Sequence, residues 1–436
     1  MTTKPQLSRP RAAPSVRRVL DHVPPPGAWA DLHQHRAQAG ALPHVRTEPD
    51  GRLLAEVDRS GLRGRGGAGF PTSIKLRAVA KGRPQRIVVA NGTEGEPASA
   101  KDKLLLANAP HLVIDGALVA AAAVGASEIF LCVDRTATTA LEAVHRALAE
   151  RAALEPPAVP IRVAATPPRY VAGEETALVN WLNGADARPT VVPPRPFERG
   201  VKGRPTLVDN VETLCHLALI ARHGADWFRE LGTADEPGTT LLTLSGAVKR
   251  PGIYEVPMGR ALGRVLEDAG APADAAVLAG GYFGTWLPTA DVAGLALANG
   301  ALRPLGASIG CGVVAVLPPG SCGIAETARV LGWLANETAG QCGPCVNGLG
   351  AVADTMAAVS TGRADRHDGQ RLLRWAGQIE GRGACRLPDG AVRLLRSALG
   401  VFATDLDHHL GGHPCPAARH NRVLPLPHQR EVMEWR

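Results

Sequence analysis

Two cysteines, Cys342 and Cys345, are separated by two residues in the Gly/Pro-rich stretch NETAGQCGPCVNG, Asn336 to Gly348. C-x2-C spacing in a tight turn aims two thiolates at one point, the geometry of a metal or iron–sulfur ligand pair. Such a pair needs further ligands from elsewhere in the chain. A second stretch, GLRGRGGAGFPTS from Gly61 to Ser73, spaces Gly64, Gly66 and Gly69 as G-x-G-x-x-G. The segment before these glycines reads as a helix, whereas the dinucleotide fingerprint requires a strand there, so that fold is disfavoured. What remains is bare backbone amide, a helix beginning near Thr72, and the charges of Arg63, Arg65 and Lys75. Together these make a site for a phosphorylated ligand. A flexible surface loop is the plainer alternative.

Carboxylates recur in three further segments. VVANGTEGEPASAKDK follows a strand, the usual place for ligand-contacting loops in an open α/β sheet. YVAGEETALVNWL puts Gly173, Glu174 and Glu175 at a helix start, where acids also act as caps without any ligand. In TLVDNVETL, Asp209 or Asn210 can simply cap a helix over 211–222. Cys132, Cys215, Cys311 and Cys322 sit in apolar strand or helix contexts and read as packing residues. His408, His409 and His413 lack paired spacing on one helix and read as a solvated tail.

These segments need a scaffold, and 436 residues are enough for two to four domains. With 45% hydrophobic and 20% charged residues, the chain is globular in composition. Helical periodicity from Arg52, a glycine loop, a helix over 72–80, the strand RIVVANG, a helix over 110–124, the strand EIFLCVD and a helix over 138–151 predict an α/β sheet. Proline clusters at 156–168 and 188–205 predict irregular loops. LLTLSGAVKRPGIYEVP reads as a hairpin turning at 249–252, followed by a short helix and a strand. From Gly323 to Leu399 the pattern is helical, broken only by the cysteine turn.

The net charge of +7 owes much to the first 46 residues, and no aromatic-interleaved basic groove appears, so a nucleic-acid role is not expected. No signal-peptide core and no membrane span is read. The Ala-rich run over 111–134 carries Asp115 and Glu128 and reads as a buried helix and strand. Eight cysteines in so long a chain fit a reducing, cytoplasmic setting with a metal site better than a disulfide framework.

Taken in this order, the motifs from about Leu53 to Leu399 resemble the flavoprotein subunit of NADH:quinone oxidoreductase (complex I) and related NADH-dependent hydrogenase and formate dehydrogenase subunits. The resemblance implies an N-terminal extension (1–48), an α/β FMN and NADH domain (49–237), a small β-grasp-like, SLBB-type α+β domain (238–318), a helical 4Fe-4S domain (319–400) and a tail (401–436). It implies cofactor contacts from Gly64, Arg65, Gly66, Gly67, Lys75, Asn91, Thr93, Asn210 and Thr213 around FMN, from Tyr170 and Gly173 beside the flavin and nicotinamide, and from Phe70 as an aromatic of the NADH cleft, with Glu94, Glu174 and Glu175 as the catalytic carboxylates. NADH is the implied donor, and a ferredoxin-like iron–sulfur subunit the implied acceptor, any membrane acceptor being reached through partner chains.

The chain departs from the family at several positions. Thr93 and Asp209 replace an expected Asp and Asn, and two aromatic positions of the NADH cleft become Ala78 and Lys202. Losing a base–aromatic stack costs about 1–3 kcal/mol. The family's cluster motif is C-x2-C-x2-C with a later fourth cysteine, and its first position here is Ala339, which leaves Cys342, Cys345 and Cys385. Cys415, in GGHPCPA, is the expected replacement, with His413 the weaker alternative. The expected function is electron transfer from NADH through FMN and a 4Fe-4S cluster. The alternatives are a relay with another donor, or a docking subunit without redox activity.

Overall fold

Val- and Ile-rich runs punctuated by glycine loops build the first sheet. The computed structural model describes residues 16–25, 27–43, 51–413, 415, 422–427, 435 and 436. In it, β1 (Arg86–Gly92), β2 (Ala126–Asp134), β3 (Ile161–Thr166) and β4 (Thr206–Asn210) pair in parallel in the order β3-β2-β1-β4. β1 is therefore flanked by β2 on one side and β4 on the other. The chain runs outward from β1 through β2 to β3 and then returns to lay β4 on the other side of β1, so the strand order switches at the carboxyl ends of β1 and β4, the usual place for a ligand crevice. In register, Asn91 faces Asn210 across that pair.

Helices α1 (Leu32–Ala39), α2 (Arg52–Ser60), α3 (Thr72–Ala80), α4 (Lys101–Asn108), α5 (Pro110–Val124), α6 (Thr138–Leu154), α7 (Glu175–Leu182) and α8 (Val211–Arg229) belong to this part of the chain. α5 is apolar on nearly all faces because it is buried, and its Gly116 sits where a Cβ would fall 2.0 Å from the Leu214 carbonyl of α8. Its one acid, Asp115, is sequestered by His35, Arg151 and Arg222. No single helix among the described residues is long and apolar enough to cross a membrane.

The second unit is a five-stranded sheet in the order β6-β5-β9-β7-β8, formed by β5 (Thr239–Gly246), β6 (Gly252–Pro257), β7 (Ala276–Ala279), β8 (Thr285–Pro288) and β9 (Val313–Leu317). Against it lie α9 (Leu262–Ala269) and the single-turn helices α10 (Thr289–Val292) and α11 (Asn299–Leu302). The expected hairpin is β5–β6, antiparallel. The third unit holds α12 (Gly323–Asn336), a π-helical turn at Pro344–Leu349, α13 (Gly350–Ser360), α14 (Asp368–Ile379), α15 (Leu387–Val401) and α16 (Ala403–Leu410).

Four expectations are corrected. The proline-rich stretch near 160 contains an edge strand, β3, whose N–H groups pair with β2 despite the flanking prolines. β4 was hidden because its five residues are too short to show periodicity. Within the 1–48 extension, Val19, Leu20 and Leu32 are buried and α1 opens with a capping box at Asp31. Backbone N–H groups of Arg18, Val19 and Leu20 all donate to the Glu255 carboxylate of β6, so this segment straps two units together. Within the 401–436 tail, 403–410 is helical. The remainder of both segments falls partly outside the described residues.

The first and second units meet at buried charge. Lys101 Nζ lies 2.7 Å from Asp102 Oδ1 and 2.9 Å from Glu212 Oε2, all three nearly inaccessible to solvent. Glu212 Oε1 accepts the Leu241 N–H at 2.9 Å and the Thr240 hydroxyl at 3.2 Å, both on β5. Burial alone would lower the Lys101 pKa, but Asp102, Glu212 and Glu94 outweigh it and hold the ammonium charged. Burial likewise pushes Glu212 up, and Lys101, His216 and Arg65 reverse this to about 2. With its folded pKa depressed, Glu212 contributes stability that is present above its ordinary range and lost as pH falls through about 2. Glu212→Gln leaves a buried lysine short of one counter-charge. It is expected to cost about 3–5 kcal/mol in guanidinium unfolding at neutral pH; a loss under 1 kcal/mol would contradict the role given to this pair.

Candidate functional site

The glycine loop is held at both ends and open in its middle. Gly64 N–H donates to Phe70 carbonyl at 2.8 Å, and Arg65 N–H donates to Thr213 Oγ1 at 2.8 Å. Gly67 has φ 119° and Gly69 φ 61°, conformations that L side chains rarely adopt. Gly66 is pressed against Asn210, whose Cβ would lie 3.1 Å from an added Cβ. Among the described residues, the N–H groups of Gly66, Gly67, Ala68 and Gly69 have no protein acceptor. Four free amides in consecutive residues form a concavity suited to an anion. The facing wall of this groove comes from the second unit, through Thr240, Asn299, Ile309 and Gly310.

The site lies over the β1/β4 crevice. Lys75, on α3, donates to the Val208 carbonyl of β4 and stands 3.8 Å from Glu175. Beside it, Asp209 is buried and its Oδ2 has no hydrogen-bond partner among the described residues. Burial raises the Asp209 pKa, with Lys75 opposing. Asn91 Nδ2 donates to the Gly173 carbonyl at 2.8 Å and its Oδ1 accepts Thr93 N–H, so Asn91, Thr93 and Gly173 form one rim. Phe70 and Ile74, one turn apart, are each 51% exposed next to the loop. Free amides, a lysine and an orphaned buried carboxylate oxygen are the groups a phosphorylated, hydrogen-bonding ring cofactor needs, so the residues fit FMN.

Several expected contacts turn out to be supports. The Arg65 guanidinium is buried against the Thr239 carbonyl and does not face the groove. Asn210 caps α8 and bridges to Asp102, and Thr213 anchors the loop from below. Glu94 accepts from Ser99 Oγ and the N–H groups of Asp102 and Lys103. Glu174 is the N-cap of α7, accepting from Thr176 and Ala177, as the capping alternative had it. Of the three carboxylates, Glu175 pairs only with cations, Lys75 and Arg195. Lys202 is exposed, but its ammonium is committed to an ion pair. It pairs with Glu128 at 2.5 Å, over the Phe130 ring.

The seam between the site and the helical unit is built on Tyr170. Its N–H donates to Glu337 at 2.9 Å, and its ring meets Phe283 and Trp333 edge-on at 4.8 and 5.2 Å. Its hydroxyl donates to Glu96, which also accepts Tyr282 N–H from the second unit. Glu96 was missed; the signal available was a second acid two residues after Glu94 in a loop already suspected.

The cysteines divide into two groups. Cys345, near the start of the π-helical turn, is pushed up to about 12 by burial, then by Cys342 and Cys385. Cys385 is pushed up to about 11 by burial, with Glu174 and Cys342 adding to it. Buried Ala339 occupies the remaining position of the motif. Three converging thiols fit three corners of an iron–sulfur cube, and none of the described residues supplies a fourth thiol to this group. Cys415 is held elsewhere: its sulfur lies with Cys322 and His409. It therefore does not stand in for the ligand absent at Ala339. The reason is α12, whose 14 residues span about 21 Å and place Cys322 at one end and the Cys342 turn beyond the other. His413 stacks near His408 instead.

Family models match in the same order: the Nuo51 FMN-binding domain over residues 57–219, the SLBB domain over 241–281, and the NADH-ubiquinone oxidoreductase-F iron–sulfur binding region over 325–409. One of the NADH-quinone oxidoreductase F subunits of Rhizobium meliloti is 33% identical over 84% of this chain and 90% of its own length. The chain belongs to the family of NADH-quinone oxidoreductase F subunits. The HndC subunit of the NADP-reducing hydrogenase of Solidesulfovibrio fructosivorans is 31% identical over 86% of this chain and 79% of its own. A solved NAD+-reducing [NiFe]-hydrogenase in the air-oxidized state matches with TM-score 0.77 and 33% identity, over 91% of this chain and 71% of that one. This family member is an electron-transfer flavo-iron–sulfur protein, with FMN and a 4Fe-4S cluster as its cofactors.

Two outcomes test the site. Restoring the missing thiol with Ala339→Cys is expected to raise iron, counted by metal analysis after aerobic purification, by about one third over wild type, because the fourth iron gains a thiolate. Equal iron in both proteins would remove the significance given to Ala339. Burial raises Glu96 to about 7 against its backbone and Tyr170 hydrogen bonds. Its contribution to stability is full below about 4.5 and lost as pH rises through about 7. Glu96→Gln should flatten that decline, about 2–3 kcal/mol, in denaturation curves taken from pH 4.5 to 7.5; an unchanged slope would assign the decline to another group.

Proposed function

We propose that this chain takes reducing equivalents from NADH at an FMN seated under the glycine loop and passes electrons singly to a ferredoxin-like iron–sulfur subunit. FMN, when bound, supplies the switch from two-electron hydride chemistry to one-electron transfer. The protein's own work is positioning. The free N–H groups of Gly66 to Gly69 and the Lys75 ammonium would hold the phosphate and ribityl oxygens of FMN. Asn91, Thr93 and Gly173, bonded to one another, would line the flavin side, and the unpartnered Asp209 Oδ2 would be available to it. Glu175, with its partners Lys75 and Arg195, would face the nicotinamide nucleotide, and the exposed Phe70 and Ile74 would give it an apolar shelf.

The observation carrying this reading is that the flavin rim and the cysteine group share a wall. Glu174, adjacent to Gly173, stands close enough to Cys385 to raise its pKa, and Tyr170 N–H is tied to Glu337, five residues before Cys342. Glu174, Tyr170 and Glu337 would thus link an FMN in the crevice to a cluster at the cysteines. The chain acts in the reducing cytoplasm as a peripheral subunit. Relatives that are subunits of quinone oxidoreductases and of a hydrogenase support a partner-dependent acceptor.

A second reading keeps both cofactors but takes electrons from a different donor. It is favoured by Ala78 and by the commitment of Lys202 to Glu128, which leaves Phe70 without the expected companions. Anaerobic titration of the FMN-loaded protein separates the two. NADH is expected to bleach the flavin absorbance at stoichiometric amounts, with an affinity about 10-fold below that of an aromatic-lined cleft. Bleaching by dithionite alone would retire NADH as donor and leave the relay.

A further inference from the structure

A second convergence of ligand atoms lies away from the flavin and from the Cys342 group. The sulfurs of Cys322 and Cys415 and a ring nitrogen of His409 all lie within 4.8 Å of one another, and Cys322 Sγ is 3.2 Å from His409 Nε2. Cys322 is the N-cap of α12 and His409 lies in the last turn of α16, both buried, with Cys415 partly open to solvent. Around a tetrahedral zinc, with Zn–S of about 2.3 Å and Zn–N of about 2.0 Å, neighbouring ligand atoms stand about 3.5–3.8 Å apart. The observed cluster needs only a small adjustment to match. His409 Nδ1 is buried without a hydrogen-bond partner among the described residues, and Nε2 is turned to the Cys322 sulfur.

We propose that Cys322, His409 and Cys415 bind one Zn2+ ion, with solvent on the open Cys415 side as fourth ligand. Two thiolates and an imidazole are a zinc donor set, and this one joins residues 87 and 93 positions apart in sequence. The ion fastens the tail where it leaves α16. Beyond it the chain returns to the body: Glu326 accepts the Val423 and Leu424 N–H groups, Tyr282 Oη donates to the Pro425 carbonyl, and Trp435 lies over Arg169 and Arg188. Arg169 directly precedes Tyr170, so the clasp fixes the end of a segment that packs on the seam between the flavin rim and the cysteines.

Metal analysis of the full-length protein, purified anaerobically with zinc and iron supplied, tests this. Wild type is expected to hold equimolar zinc. Cys322→Ser and Cys415→Ser should each lose at least nine tenths of it with iron and flavin content unchanged, while His409→Cys, which keeps a soft ligand, retains zinc and shows that the fold tolerates change there. Cobalt replacement should give a thiolate-to-cobalt charge-transfer band that Cys415→Ser abolishes. Four results would each overturn the assignment: zinc at background in wild type after equilibration with Zn2+; zinc retained by both serine variants; a Cys322–Cys415 disulfide in the unreduced protein; or loss of iron in Cys415→Ser.

Discussion

The ion cluster of Lys101, Asp102 and Glu212 is the constraint from which the working parts take their positions. Charges taken out of water are tolerated only with close, complete partners, so each member must be held to a narrow geometry. Lys101 opens α4, Glu212 lies in the first turn of α8, and the second carboxylate oxygen of Glu212 reaches β5. One residue on, Thr213 anchors the glycine loop, and two residues before, Asn210 presses on Gly66. The loop, the end of β4 and the wall contributed by the second unit are therefore set by a single buried point. Domain motion that opened the groove would have to expose these charges.

That arrangement explains which parts of the site were legible in the sequence. Glycine requirements and C-x2-C spacing are local, and both were read at the right positions, as were α2, α3, α5, β1 and the β5–β6 hairpin. The division of labour among polar residues was not local. Whether Arg65, Glu94, Asn210 and Thr213 face a ligand or hold a backbone depends on what the fold brings within 3 Å, and for all four it brings backbone N–H, carbonyl or hydroxyl groups. Glu174 was ambiguous for the same reason: an acid at a helix start caps first, and only tertiary structure shows that it also stands near Cys385. The juxtaposition of Cys322, His409 and Cys415 was invisible because no spacing rule connects a helix start to a residue 87 positions later. The tail was read by composition, which says nothing about where a helix docks.

Two of the departures from the family have different structural weight. Lys202 has been drawn into an ion pair with Glu128, whose other oxygen binds Arg162, so the substitution is absorbed by the sheet surface. Reversing it would leave the mostly buried Glu128 carboxylate to Arg162 alone. Ala339 is not absorbed in this way. It is buried, small and beside two thiols whose pKa values burial holds high, an environment that disfavours an uncoordinated thiolate.

Cys345 and Cys385 are thus pushed toward the neutral thiol unless a metal takes the proton's place, which makes cluster binding and the folding of this turn one linked equilibrium. The turn itself is π-helical, an arrangement that leaves backbone groups less well paired than an α-helix would. It follows α12, whose C-terminal end is tied to Tyr170 through Glu337 and Trp333. The same aromatic contacts therefore link the flavin rim to the helix end that leads into the cysteine turn. Electron transfer needs a short, fixed separation, and here the fixing does not depend on the cluster alone. It depends on a tyrosine held by both neighbouring units, which is why a chain lacking one cluster thiol can still present a flavin crevice and three cysteines to each other in register.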